Sequence, residues 1–296
     1  MTGKTFRLRN RNSAFAAPRC RGPKIPVPGP TRRWKISLAW RENRMRQIKN
    51  PTVCHKACRL QHCLCPLKNP HSGRMIAELK IVQDSPMLIR VVPFVAFLIL
   101  TMCQGKFGDT SPYWFYLVKT LAGVGLIWWM RPFVREMRWK VDWEAVGVGI
   151  VVFAVWVGLD PLYPKMGSST TTWNPLASFP DSPALAWLFV SCRILGSTLI
   201  VPGLEEVFYR SFVYRYIENQ NFENVPFNKF QRFPFILTAV IFGFAHHEWL
   251  AGILCGFAYQ WLMIRKNGIG HVMTAHAVTN LLLGIWVVWK QQWNFW

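Results

Sequence analysis

The chain holds three short constellations that together could hydrolyse a peptide bond. Glu205-Glu206-Val207-Phe208-Tyr209-Arg210 sets two adjacent carboxylates ahead of an arginine. Phe242-Gly243-Phe244-Ala245-His246 ends an apolar run in a histidine, and His276-Ala277-Val278-Thr279-Asn280 spaces a histidine and an asparagine four apart. On a helix, Glu206 and Arg210 stand at i and i+4 with the acid N-terminal, the favoured order for a pair. That pair reads as structural, because removing one partner would leave a buried charge uncompensated. Glu205 is turned away by about 100° and can face a water-filled cavity. Two acids and one arginine leave one acid uncompensated. A buried acid of that kind suits general-base work near neutrality. Glu205 would take a proton from a water held by His246, a step worth about 10²–10⁴-fold. His276 and Asn280 share one helix face and can donate hydrogen bonds to a tetrahedral oxyanion, each donor worth about 10²–10³-fold.

Taken singly, a histidine on an apolar helix is more often a satisfied core residue than a catalyst. The order of the three constellations on successive apolar segments carries the reading. His247 and Glu248, next to His246, leave open which histidine faces the site. Cys192 and Cys255 have no marked base beside them and read as packing residues. No serine or cysteine nucleophile is needed.

These groups must be positioned in lipid. Hydrophobic residues make up 51% of the 296-residue chain, and 16 are Trp, a residue that favours membrane interfaces. The fold class expected is all-α, a polytopic transmembrane helical bundle of seven to eight spans over residues 87–296, with a catalytic core over about 184–290. Apolar segments run over Leu88–Met102, Tyr113–Met130, Ala145–Leu159, Ala184–Val201, Pro234–Ala245, Trp249–Ile264 and Val272–Trp289. Pro202-Gly203 is expected to break the fourth, and Leu204–Ile217 to form an eighth, partly embedded helix. The Lys/Arg asymmetry of loops places Arg131, Arg135, Arg138 and Lys140 in the cytoplasm. Arg210, Arg215, Lys229 and Arg232 follow them there, as do Arg265 and Lys266, while 160–182 reads as external. Arg90, near the start of the first span, can snorkel. Lys119 lies deeper. Arg193, near the middle of the fourth span, reads first as a structural ion pair or a carbonyl contact, and otherwise as a residue on an interior cavity.

A plain seven-span count creates a geometric problem. It puts Glu205 at the cytoplasmic end and His246 at the far end of a short helix, about 18 Å away. Catalysis then requires the broken segment or the short helix to end inside the membrane. Irregular backbone at that depth is tolerated only in a cavity or buried in protein.

The net charge of +21 is uneven, with 19 Lys/Arg and two acids in residues 1–80. Residues 1–86 read as a basic, Pro-containing, disordered tail or as the product of an early start, with Met75 or Met87 as the true one. The tail has no apolar run of roughly 7–15 residues such as a secretory signal uses. Its Cys20, Cys54, Cys58, Cys63 and Cys65, with His55 and His62, lack the paired knuckles of a zinc site.

At the three constellations the sequence resembles the CAAX prenyl protease and bacteriocin-processing family of intramembrane proteases. The resemblance runs from about Ala184 to Leu283. The segment Trp156–Leu162 is similar to the subgroup that accompanies bacterial exosortase systems. The resemblance implies about eight transmembrane helices around a cavity open to the cytosol. It implies Glu205 and His246 as the water-activating pair, His276 and Asn280 as the oxyanion hole, and Glu206 and Arg210 as supporting residues. It implies a membrane-anchored protein or peptide substrate in the bilayer, in the bacterial plasma membrane, and no nucleic acid; it does not fix the oligomeric state. A Glu/His set has the chemistry to hold zinc, but without a His-Glu-x-x-His no metal or other cofactor is expected. Two alternatives come from other classes: a non-catalytic polytopic scaffold of the same fold, and a transporter using the buried Glu, Arg and His as a relay.

Overall fold

The computed structural model describes residues 78–167 and 173–296, and every regular element among them is a helix. The readings placed on residues 1–77, namely tail disorder, the Cys/His cluster and a start at Met75, lie outside the described residues. A short helix α1 (Glu78–Asp84) is bent by 119° from α2 (Leu88–Met102). The expected tail therefore ends earlier than residue 86, because Val82 packs on the core. There follow α3 (Ser111–Met130), α4 (Trp143–Leu159), α5 (Pro183–Glu218), α6 (Arg232–Phe244), α7 (Trp249–Lys266) and α8 (Gly270–Lys290). By length and composition three helices can cross a membrane: α4 with its 3₁₀ extension to Leu162, α5 and α8. The bent α1–α2 pair would add a fourth.

The main departure from the sequence reading is α5. Pro202-Gly203 does not break it, and Leu204–Ile217 is not a separate helix. One 36-residue helix runs from Pro183 to Glu218, about 54 Å at 1.5 Å per residue. A π-turn absorbs the proline. The Val201 N–H reaches back five residues to the Gly196 carbonyl. The next position, Pro202, has no N–H to give the Ser197 carbonyl. Asn280 Nδ2 donates to that carbonyl instead, at 2.8 Å. A second π-turn spans Val207–Val213, where the Tyr214 N–H bonds the Tyr209 carbonyl. Glu205 and Glu206 thus sit between two local widenings of one helix, a distortion often found at functional sites.

α5 turns back into α6 through residues 219–231, and this hairpin removes the 18 Å problem. Glu205 lies 13 residues before the end of α5, and His246 lies 14 residues after the start of α6. Each is therefore about 20 Å from the hairpin end, so the two are level. Small residues bring α6 and α7 together. A Cβ on Gly256 would meet the Cα of Ala239 at 2.9 Å, and one on Gly243 would meet the Trp249 carbonyl at 2.7 Å. Close backbone approach of this kind is the usual basis of helix association in lipid. Likewise a Cβ on Gly149 of α4 would meet the Ala275 carbonyl of α8 at 2.5 Å.

The basic loops share one end of the bundle. Thr274 Oγ1 donates to the Lys140 carbonyl, and Lys266 pairs with both Asp142 and Glu144 at 2.7 Å. At the opposite end the Trp249 indole donates to the Pro164 carbonyl, and the Met166 N–H to the His247 carbonyl. Arg90 does not snorkel. It is 3% exposed and pairs with Glu136 at 2.8 Å. Glu136 also accepts from Ser211 and Arg215, so one loop carboxylate ties α2 to the end of α5.

Burial opposes ionisation of Glu136, but the Arg90 charge and the Ser211 and Arg90 hydrogen bonds outweigh it and hold the carboxyl below its usual 4.5. A depressed carboxylate stabilises the fold above its unfolded value and loses that contribution as pH falls through the folded value. Each pH unit of depression is worth about 1.4 kcal/mol. Thermal unfolding of the purified protein should therefore shift downward as pH falls below 4.5. Glu136→Gln should flatten that part of the pH profile, and an unchanged profile would remove the staple from the account.

Candidate active site

Glu205, His246, His276 and Asn280 line one cavity of about 310 Å³. They come from α5, the turn after α6, and α8. Trp156 of α4 and Tyr259 of α7 contribute further wall. Glu206 and Arg210 are each fully buried behind it, with no exposed area. The hundred-degree turn between adjacent helical residues thus separates the two acids as the sequence reading expects.

Behind the cavity, Arg210 Nε lies 3.3 Å from Glu206 Oε2 and Nη1 lies 3.3 Å from Oε1. The guanidinium stacks over Phe242 with 4.1 Å to the ring centroid, so the first residue of the Phe-x-x-x-His run seats the arginine of the first constellation. Glu206 has a second role that the sequence reading missed. Its Oε1 accepts from His276 Nδ1 at 2.8 Å. Only the fold could show this, since the two residues are 70 positions apart. With Nδ1 donating, Nε2 is the ring nitrogen left for the cavity. Tyr259 lies with its ring centroid 5.3 Å from the His276 ring and donates from its hydroxyl to Thr279 Oγ1 at 2.8 Å. Thr279 passes the chain on to the Gly149 carbonyl at 2.9 Å, tying α7, α8 and α4 behind the histidine. A hydroxyl inside the His-x-x-x-Asn run was the available hint.

His246 is oriented differently. Its Nδ1 lies 2.7 Å from the Phe242 carbonyl. A carbonyl can only accept, so Nδ1 carries a proton, and in the neutral ring Nε2 is then the acceptor. Trp156 meets the imidazole edge-to-face at 5.6 Å. His247 is not among the residues lining this cavity; Glu248 is.

Glu205 Oε2 is buried and has no hydrogen-bond partner among the described residues. A buried carboxylate oxygen without a partner is rare and calls for a ligand, a water or an ion. Asn280 has one amide hydrogen engaged with the Ser197 carbonyl, and the other has no partner among the described residues. Among the described residues no three of His, Cys, Asp and Glu converge on one point that could hold a metal ion.

Two cations also reach this cavity, Lys119 of α3 and Arg193 of α5. Arg193 makes neither the ion pair nor the carbonyl contact expected from the sequence. Its guanidinium instead faces the rings of Trp173, Tyr116 and Trp296 at 4.4, 5.0 and 5.1 Å. Cys255, expected to pack, does pack at 4% exposure, though it also touches the cavity.

Residues 186–282 match the family model described as Type II CAAX prenyl endopeptidase Rce1-like. The match covers about a third of the chain and includes Glu205, Glu206, Arg210, His246, His276 and Asn280. It carries no information on an exosortase association. Together with the apolar helices it points to an integral membrane protein. No curated protein and no solved structure matches the chain.

Proposed function

We propose that the protein is an integral membrane endopeptidase of the CAAX type that cleaves a membrane-anchored protein or peptide with a glutamate-activated water. The observation that carries this reading is that Glu205 lines the same cavity as His246, His276 and Asn280, with no ion pair or hydrogen bond to its carboxylate among the described residues. The family match supports the reaction class. On this reading α2 to α8 make seven crossings with the basic loops in the cytoplasm, in the plasma membrane of a bacterial host. The short α6 ends within the membrane at the wall of the cavity.

In the proposed mechanism a water donates one O–H to Glu205 and the other to the His246 Nε2 lone pair. Its oxygen adds to the scissile carbonyl carbon as Glu205 takes the proton. The carbonyl oxygen becomes the oxyanion, received by the free Asn280 amide hydrogen and by His276 Nε2–H. Since Nδ1 already donates to Glu206, a donor at Nε2 requires the imidazolium form. Glu206 can stabilise that cation. Glu205 and Glu206 then balance Arg210 and His276 in charge. Collapse breaks the C–N bond, and the proton on Glu205 passes to the leaving amine. No metal is required in this scheme.

The test is a comparison of membrane proteomes from cells making the wild-type protein or its Glu205→Gln form. New C-termini on membrane-associated proteins are expected only with the wild type. Identical sets of termini, together with function retained by Glu205→Gln, would replace the peptidase by a scaffold of the same fold.

A further inference from the structure

Two cations that reach the cavity take no part in the proposed chemistry. Arg193 and Lys119 make no ion pair among the described residues. The Arg193 side chain donates no hydrogen bond there either and rests only against Trp173, Tyr116 and Trp296. Lys119 is 6% exposed. Its ammonium donates to the neutral oxygens of Thr101 and Gln104, each at 3.2 Å, and sits over the same Tyr116 ring at 4.4 Å. Both cations contact the Tyr116 ring. Glu248 also lines the cavity, but it lies at the α6–α7 turn, where its charged neighbours are His247, Asp160 and Lys165. Ionisable side chains in a membrane interior are kept where they meet a partner or a polar ligand. Ring contacts of this kind use no N–H donor, and a guanidinium with its donors unengaged can grip a carboxylate through two parallel hydrogen bonds.

We infer that Arg193, assisted by Lys119, binds a carboxylate group of the peptide substrate in the cavity that Glu205 also lines, about 18 Å along α5 from that acid, and so sets substrate specificity. The inference rests on the peptidase reading for the identity of the ligand as a peptide. The carboxylate has two possible sources, the chain terminus and an acidic side chain. Either one anchors the peptide with its backbone held toward His276 and Asn280. The neutral anchor of an amidated peptide leaves both cations unpaired.

The test uses the full chain carrying Glu205→Gln, so that ligands bind without turnover. The probes are N-palmitoylated, mixed-sequence apolar pentapeptides in three forms: free acid, carboxamide, and carboxamide with one internal Glu. Binding is read from tryptophan fluorescence, since Trp173 and Trp296 flank Arg193. One of the acidic probes should bind at least about tenfold more tightly than the plain carboxamide, the usual scale of a charged hydrogen bond. Whichever acid is preferred identifies the source. Arg193→Met should bring all three probes within about twofold, and Arg193→Lys should keep part of the preference. If Arg193→Met unfolds, Arg193→Lys alone carries the comparison and must lower the preference. Equal binding of acids and carboxamide, or a preference that survives loss of the arginine, overturns the inference. So does binding of hexadecyl phosphate that depends on Arg193 while the peptides are not discriminated, which would assign the site to a lipid headgroup. A clear acid preference with no cleavage of the same probe by the wild-type protein would leave the carboxylate site standing and remove the peptidase reading instead.

Discussion

Glu205→Gln should lower turnover of any cleaved substrate by about 10²–10⁴-fold while leaving the thermal unfolding temperature unchanged. The amide has the size and shape of the carboxylate but cannot take the proton from water. Stability should not suffer, because Glu205 lines the cavity and its Oε2 has no partner among the described residues to lose. Glu205→Asp should also be slow, since withdrawing the carboxylate by one methylene misplaces it relative to the water, and small misplacements are costly in catalysis. Single-turnover rates and a melting curve on the same preparation check both halves. Turnover within tenfold of the wild type would end the case for Glu205 as the base.

Its neighbour should behave in the opposite way. Glu206→Gln should destabilise the protein by about 3–5 kcal/mol, because it strands a fully buried Arg210 and weakens the acceptor for His276 Nδ1. The expected readout is a large fall in melting temperature and in the yield of folded protein. Glu206→Leu combined with Arg210→Met should recover much of that stability, as apolar replacement of a whole buried ion pair often does. Activity should stay lost, because His276 then has no carboxylate to hold its ring or to stabilise its cation. A double variant no more stable than Glu206→Gln would mean that the pair is not energetically coupled. Two adjacent glutamates with reversed phenotypes, one catalytic and one structural, would be the signature of this site.

Much of this division was legible in the chain. A helical phase of about 100° per residue sends Glu205 and Glu206 to different neighbours whatever the fold, and the i,i+4 spacing pairs Glu206 with Arg210. His276 and Asn280 share a helix face by the same rule. The apolar segments foretold α2 to α4, α6 to α8 and the start of α5 to within a few residues, because length and composition decide them locally.

Other features were not legible because they depend on partners far away in sequence. Pro202-Gly203 looks like a break when only the local chain is considered. Asn280 on another helix supplies the donor that the Ser197 carbonyl lacks, and a π-turn absorbs the register, so α5 runs on. Arg90 looked free to reach the interface until Glu136, from a loop, gave it a buried counterion.

The sequence by itself determined that the acid pair, His246 and the His276–Asn280 run belong to three successive apolar segments, with one acid matched to an arginine and one spare. That follows from helical periodicity and the cost of bare charge in lipid. Only the tertiary structure decided that α5 and α6 form a hairpin level at Glu205 and His246, that Glu206 holds His276, and that Arg193 faces the cavity without a counterion. Each of these turns on how long helices stay continuous and where they turn back. Distant carbonyls, rings and carboxylates settle that, and no local spacing records them.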